Sequence, residues 1–370
     1  VISSAEGHEL HVNLHHVFEW VSCVAKYVPK EVVSDIMRSG QRGGGGGGLS
    51  KGNNASTQAP HMTQRTVTLL FCDIENFTTF CEHVPPEDMV DLLEIYFAKM
   101  TSVLLQHGCT IDKYIGDAIM GFWGAPLEYH CQGFSACCAA LHMQYAVAKL
   151  RPYFMRFQHH LNVRVGIHRG VAAVGNIGCS VRLSYTALGD VVNTAARLEG
   201  LNKHFGTRVC VSQSVVNDID GGHFAFRALG SVRVKGKLDA LSVYELIGVR
   251  TSPPSSSSPK DSGMKHGIKP NSMMLDTRSE AVYTHQTGLS TATDKFAELN
   301  VESELLTAKR FKAISERQVE VLAKIESAIQ SYQRGDIRDG IVALEQVLHD
   351  HSRTLIKLDI DVGKLADVYL

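Results

Sequence analysis

Two aspartates stand where apolar strand sequence gives way to a turn: Asp73 in Leu70-Phe-Cys-Asp-Ile-Glu-Asn-Phe-Thr78, and Asp117 in Tyr114-Ile-Gly-Asp-Ala-Ile-Met120. A carboxylate at a strand end has a fixed backbone and an exposed head, so two on adjacent strands can share a pair of Mg²⁺ ions about 4 Å apart, as in phosphate chemistry. Asn193 and Arg197 lie four residues apart in Val191-Val-Asn-Thr-Ala-Ala-Arg-Leu-Glu199. On a helix this spacing puts amide and guanidinium on one face, as donors for a developing negative charge. Taken singly, each group has a plainer reading, an exposed turn carboxylate or a solvated helical pair.

The elements that must position these residues follow from the hydrophobic pattern. Val67–Cys72 reads as a buried strand, and Met89, Leu92, Leu93, Tyr96, Met100, Val103 and Leu104 recur at helical spacing over Pro86–Leu105, closed by Gly108. Thr110–Tyr114 and Ala118–Trp123 flank Gly116-Asp117 as a predicted hairpin with Asp117 at its tip. A small-residue helix is expected over Gly133–Leu150. It is followed by a strand at Asn162–His168, a second apolar stretch at Val171–Ile177, the helix carrying Asn193 and Arg197, and a strand at Thr207–Ser212. Phe226–Lys237 and Leu241–Ile247 read as a closing strand pair. This interleaving predicts an α+β fold, an α/β sandwich with flanking helices.

Around this centre, the expected divisions are a helical connector over 1–40, carrying Val17, Val21, Val24, Val28 and Val32, and a Gly-rich linker over 41–63. The central domain spans 64–249, a Ser/Pro-rich linker 250–298, and a helical hairpin 299–370 that resembles an appended helical repeat. His8, His11, His15 and His16 cluster at helical spacing but lack a His-Glu-x-x-His pattern, and read as a partly exposed face.

The 370 residues are 44% hydrophobic, enough for a real core. A net charge of −1 gives no bulk argument for nucleic acid or an anionic membrane. Nine cysteines without a Cys-x-x-Cys pair read as free thiols of a reducing, cytoplasmic compartment. No apolar run approaches the roughly 20 residues of a spanning helix. The start at Val1 is compatible with a piece of something longer, which leaves room for an anchor outside this chain.

Residues 64–248 resemble the catalytic domain of class III nucleotidyl cyclases, in the subtype of bacterial and soluble bicarbonate-responsive adenylyl cyclases. The resemblance rests on ordered motifs: Phe71–Thr78, Lys113-Tyr-Ile-Gly-Asp117, Phe122-Trp-Gly-Ala-Pro126, Arg164-Val-Gly-Ile-His168, Val174-Gly-Asn-Ile-Gly178, Tyr185–Asn193, Phe205-Gly-Thr207 and Val234-Lys-Gly-Lys237. It implies the ferredoxin-like, palm-like sandwich of that family. It makes Asp73 and Asp117, assisted by the Ile74 carbonyl, ligands of two Mg²⁺ or Mn²⁺ ions per site. Asn193 would orient the ribose and Arg197 neutralise the α-phosphoryl group. Backbone amides around Asn76, Phe77 and Thr78 would receive phosphate oxygens, and Lys235, or its neighbour Lys237, would contact the terminal phosphates.

By the same resemblance, Lys113 meets adenine N1 and Thr186 the 6-amino group, whereas guanylyl cyclases commonly carry Glu and Cys or Ser at these positions. The implied reaction is ATP to cyclic AMP and pyrophosphate. Members build each site across a dimer, with the aspartates and Lys113 expected from one subunit and Thr186, Asn193 and Arg197 from the other, so a homodimer with two sites is expected. A guanylyl cyclase and a vestigial nucleotide-sensing module are the alternatives. Diguanylate cyclases are disfavoured by the absence of a Gly-Gly-Asp/Glu-Glu-Phe signature. Arg169-Gly170-Val171 and Asp239-Ala240 depart from the family pattern, away from the proposed chemistry.

Overall fold

A computed structural model of the chain describes residues 62–179, 181–219, 222–233, 240–250, 313–334, 336–358 and 360. The expected N-terminal helix, the Gly-rich tract up to His61, the Ser/Pro-rich stretch, Lys235 and Lys237 lie outside these residues.

The chain runs β1 (Met62–Ile74), α1 (Phe77–Cys81), α2 (Pro86–Gln106), β2 (Thr110–Ile115), β3 (Ala118–Trp123), α3 (Gln132–Met155), β4 (Val163–Cys179) and β5 (Arg182–Leu188). It continues through α4 (Asp190–Phe205), β6 (Val209–Ser212), α5 (Gln213–Val216), β7 (Phe224–Val232), β8 (Leu241–Arg250), β9 (Ala313–Ile314), α6 (Glu316–Arg334) and α7 (Ile337–Lys357). The sheet order is β2-β3-β1-β4-β6-β8-β7, with β5 beside β4 and β9 beside β8. This is the expected mixed α/β sandwich.

The centre of the sheet is the long antiparallel pair β1/β4, in register from Met62↔Gly175 to Ile74↔Val163. The two apolar stretches expected at Asn162–His168 and Val171–Ile177 are one strand. Arg169 and Gly170 interrupt the apolar pattern, yet they pair with Thr68 and Val67 like their neighbours. The other edge of β4 is divided, with Val165–Ile167 parallel to β6 and Ala173–Cys179 antiparallel to β5.

Side chains alternate across β1, as strand geometry requires. Leu70, Cys72 and Ile74 enter a large core with α2 and α3 that includes Tyr96, Met143 and Trp123. Val67 and Leu69 face the other way, into a core with Met120, Phe122, Val191 and Ala195. Full burial of such aliphatic side chains contributes about 1.5–3 kcal/mol each. That parity puts Asp73 on the α4 side of the sheet.

Helix α4 lies unusually close to β4 because residue 166 is glycine. A Cβ at Gly166 would come within 2.2 Å of Glu199 N and 2.5 Å of Ala195 O. Asn202 fixes the same approach through Nδ2 donating to the Val165 carbonyl at 2.9 Å, and its own Oδ1 accepts from Thr207 at 2.8 Å. The C-terminal helices α6 and α7 form a hairpin whose apolar side, including Leu322, Ile325, Ile329 and Leu344, packs with Ala225 of β7 and Ile247 of β8. Among the described residues no helix is long and apolar enough to cross a membrane.

Candidate active site

Asp73 is the penultimate residue of β1, and Asp117 occupies the turn between β2 and β3, where Gly116 takes the positive φ of 63° the hairpin needs. Adjacent strands β1 and β3 bring the two together. The Ile74 amide donates to Asp117 Oδ2 at 3.1 Å, tying the hairpin tip to the end of β1. Asp117 is pushed up to about 7, first by burial and then by the Asp73 carboxyl beside it. Two acids crowded in a half-buried site repel each other, and a divalent cation relieves that repulsion.

One permanent cation is already there. Arg164 lies opposite Asp73 in the β1/β4 register and donates through Nη2 to Asp73 Oδ2 at 3.0 Å and through Nε to Glu199 Oε1 at 2.8 Å. Burial alone would lower the Arg164 pKa, but Glu199 and Asp73 outweigh it and hold the guanidinium above its usual value. Burial raises Glu199, with Arg164 opposing. In the sequence Arg164 and Glu199 are only motif positions, and their pairing becomes legible once β1, β4 and α4 are placed together.

Among the described residues, no group of three or more His, Cys, Asp or Glu side chains is gathered as for a self-sufficient metal centre. Two carboxylates and a main-chain oxygen suit hard cations that complete their shells with water and substrate phosphate, as Mg²⁺ does. The donor set fits such ions.

Asn193 and Arg197 sit on one face of α4, as the spacing predicts, with Asn193 exposed and Arg197 half-buried. Arg197 Nη1 is buried without a hydrogen-bond partner. A guanidinium nitrogen left so is costly unless something else meets it. The α4 residue that reaches the Asp73 cluster is Glu199, by way of Arg164. Two residues on a helix span about 200° of rotation, so Arg197 and Asn193 face away from their own Asp73.

Lys113 and Thr186 correct an expectation. Rather than being divided between subunits, they meet within one chain, with Lys113 Nζ donating to Thr186 Oγ1 at 3.3 Å. The folding back of β5 along β4 carries Thr186 to β2. Between them lies Asp112, which the sequence did not single out. It accepts the Thr186 hydroxyl at 2.6 Å and faces Lys113 Nζ at 3.1 Å.

Asn76 adopts a left-handed conformation (φ 57°) and starts α1 with no side-chain cap. The first-turn amides at Phe77 and Thr78 thus follow a strand end directly, the geometry in which backbone N–H groups meet anions.

The sequence profile of the adenylate and guanylate cyclase catalytic domain matches residues 59–248. Adenylate cyclase 1 of Rhizobium meliloti is 37% identical over 230 residues, 61% of this chain and 32% of that protein. The adenylate cyclase of Anabaena cylindrica is 36% identical over 191 residues, 49% of this chain and 37% of that protein. The chain therefore spans about a third of the length of these relatives. The structure of a bacterial light-regulated adenylyl cyclase superposes with a TM-score of 0.54 at 26% identity, covering 66% of this chain and 65% of that one.

Proposed function

Because the chain belongs to the adenylate and guanylate cyclase catalytic domain family, we propose that it is an adenylyl cyclase. It converts ATP to 3′,5′-cyclic AMP and pyrophosphate as a homodimer with two shared sites. The observation that carries the reading is the division of α4, with Glu199 serving the protomer's own Asp73 through Arg164 while Asn193, on another side of the helix, is exposed. Donors aimed away from the carboxylates of their own chain are of use to a nucleotide held by a second copy.

Asp73 and Asp117, with the Ile74 carbonyl, are the ligands we assign to two Mg²⁺ or Mn²⁺ ions. Such ions, when bound, supply the charge that favours ionisation of the ribose 3′-hydroxyl and holds the triphosphate. Arg164, donating to Asp73 Oδ2 at 3.0 Å, holds that carboxylate in place for the task. Asn193 of the second copy orients the ribose so that its 3′-oxygen lies in line with the α-phosphorus. As the 3′-hydroxyl proton passes to solvent, a bond forms from that oxygen to the α-phosphorus, the bond from the α-phosphorus to the oxygen bridging to the β-phosphate breaks, and pyrophosphate leaves with that oxygen. Arg197 of the second copy donates to the α-phosphoryl oxygens as charge gathers there. The amides of Phe77 and Thr78 receive phosphate oxygens, and Lys235 takes the terminal phosphates.

Lys113 and Thr186, 3.3 Å apart, support adenine as the base. A site built to hydrogen-bond one base edge rejects another strongly, because the wrong base leaves buried polar groups unpaired. Product analysis with ATP and GTP under Mn²⁺ tests this reading. Cyclic AMP should dominate, and exchanging Lys113 for Glu and Thr186 for Cys together should move preference toward GTP. Binding of ATP with no turnover in the unmodified protein would instead mark a vestigial site.

A further inference from the structure

The base-reading pair is organised by a third residue that neither composition nor spacing announces. In the β2/β3 hairpin Ile111 pairs with Gly121 and Lys113 with Met120, leaving Asp112 as the extra residue of a β-bulge. A bulge re-aims side chains that strict alternation would send to opposite faces. Here consecutive residues Asp112 and Lys113 both reach Thr186.

The side chain of Asp112 is fully removed from solvent, and that of Lys113 is 43% exposed. Asp112 Oδ2 accepts the Thr186 hydroxyl at 2.6 Å and, more weakly, the Ala187 amide at 3.4 Å. Its Oδ1 faces Lys113 Nζ at 3.1 Å, a charge contact rather than a well-directed hydrogen bond. A threonine hydroxyl has one hydrogen to give. With that hydrogen committed to a carboxylate oxygen, Thr186 can present only lone pairs to anything else, as it does to Lys113.

Resting on the reading of Lys113 and Thr186 as the base pocket, we propose that Asp112 is a positioning residue that sets base preference by fixing Thr186 as a hydrogen-bond acceptor. An acceptor at that point takes a hydrogen from an exocyclic amino group, the 6-substituent of adenine. It repels a carbonyl oxygen, the 6-substituent of guanine. Asp112 never touches the nucleotide. It decides which way the one ambiguous hydroxyl of the pocket faces, and it steadies the Lys113 ammonium from the buried side.

The test compares kcat/KM for ATP, GTP and purine riboside triphosphate, which lacks any 6-substituent, in the full chain with Mn²⁺. The unmodified protein should favour ATP over the purine analogue by about 10-fold, the value of one hydrogen bond. Asp112→Leu removes the acceptor, frees the hydroxyl to turn, and should bring that ratio to within about 2-fold of unity while raising the GTP/ATP ratio. Asp112→Asn keeps an acceptor oxygen for Thr186 and should retain the ATP preference. In Thr186→Val the ratio is lost already, so adding Asp112→Leu should change it no further.

Equal loss on all three nucleotides in Asp112→Leu, or an unchanged ratio, overturns the assignment. If Asp112→Leu does not fold, Asp112→Ala is read in the same way, and failure of both to fold makes Asp112 part of the structural frame and equally overturns it. A different failure, an unmodified protein that uses GTP as well as ATP or neither, counts against the adenylyl cyclase reading before any variant is made.

Discussion

Gly166→Ala puts the spacing between α4 and the sheet to a direct test. The added Cβ would lie 2.2 Å from Glu199 N and 2.5 Å from Ala195 O, both backbone atoms of α4, where ordinary contact begins at 3.4 Å. Backbone in mid-helix cannot swing aside as a side chain can, so the helix must move by about 1 Å or the strand must bow, an overpacking cost of about 1–3 kcal/mol. At this size each kcal/mol lowers Tm by about 2–4 °C. The same displacement carries Asn193 and Arg197 with it, and misplacement of catalytic donors by about 1 Å costs about 100-fold in rate. Lys113 is on β2 and Thr186 on β5, so KM for ATP should change far less than kcat. The assay pairs a thermal melt with steady-state cyclic AMP production. A variant with unchanged kcat, whatever its Tm, would refute the view that the seating of α4 on Gly166 sets the position of Asn193 and Arg197.

Other consequences follow from the charges at the site. Asp73→Asn and Asp117→Asn should each lower turnover more than about 10³-fold while leaving the fold intact, read by circular dichroism and cyclic AMP yield. In metal-free protein, Asp117 holds its proton up to about 7, whereas the unfolded chain releases it near 4. Its stabilising contribution is therefore complete below about pH 4 and is lost as pH rises through 7. Melts in chelator should show this decline, and Asp117→Asn or excess Mn²⁺ should flatten it. Arg164→Met leaves Asp73 and Glu199 facing each other uncompensated. Because these side chains are 15–27% exposed, the loss should be about 1–3 kcal/mol, less than for a fully buried pair, and saturating Mn²⁺ should recover part of it.

Local signals reached most of the frame. The helical stripe of α2, the β2/β3 hairpin with its Gly-Asp turn, and the Asn193/Arg197 face are each fixed by neighbours within a few residues. What escaped depends on distant pairing. β4 reads as two pieces because Arg169 looks like a break, but its charge is met by Asp218 at 3.0 Å and its backbone by β1. β5 is not legible locally because Arg182-Leu-Ser184 is exposed and lacks a buried face; only pairing with β4 makes it a strand. α3 continues to Met155 although Pro152 suggests an earlier stop, since a proline near the end of a helix can still have its backbone continued by packing, here with Phe154 fully buried. The grouping of Lys113 with Thr186 in one protomer, and the burial of Asp112 between them, likewise require the β4/β5 arm to fold back on β2. No window of sequence contains both sides of that contact.

The central claim is that the carboxylates of one copy and the α4 donors of another complete one site. It is tested by co-expressing Asp73→Asn chains with Arg197→Ala chains. Each variant alone should be inactive. Random pairing places half the chains in mixed dimers with one intact site of two, so activity should return to about a quarter of the unmodified level. A mixed population that forms dimers yet makes no more cyclic AMP than either variant alone would contradict the account.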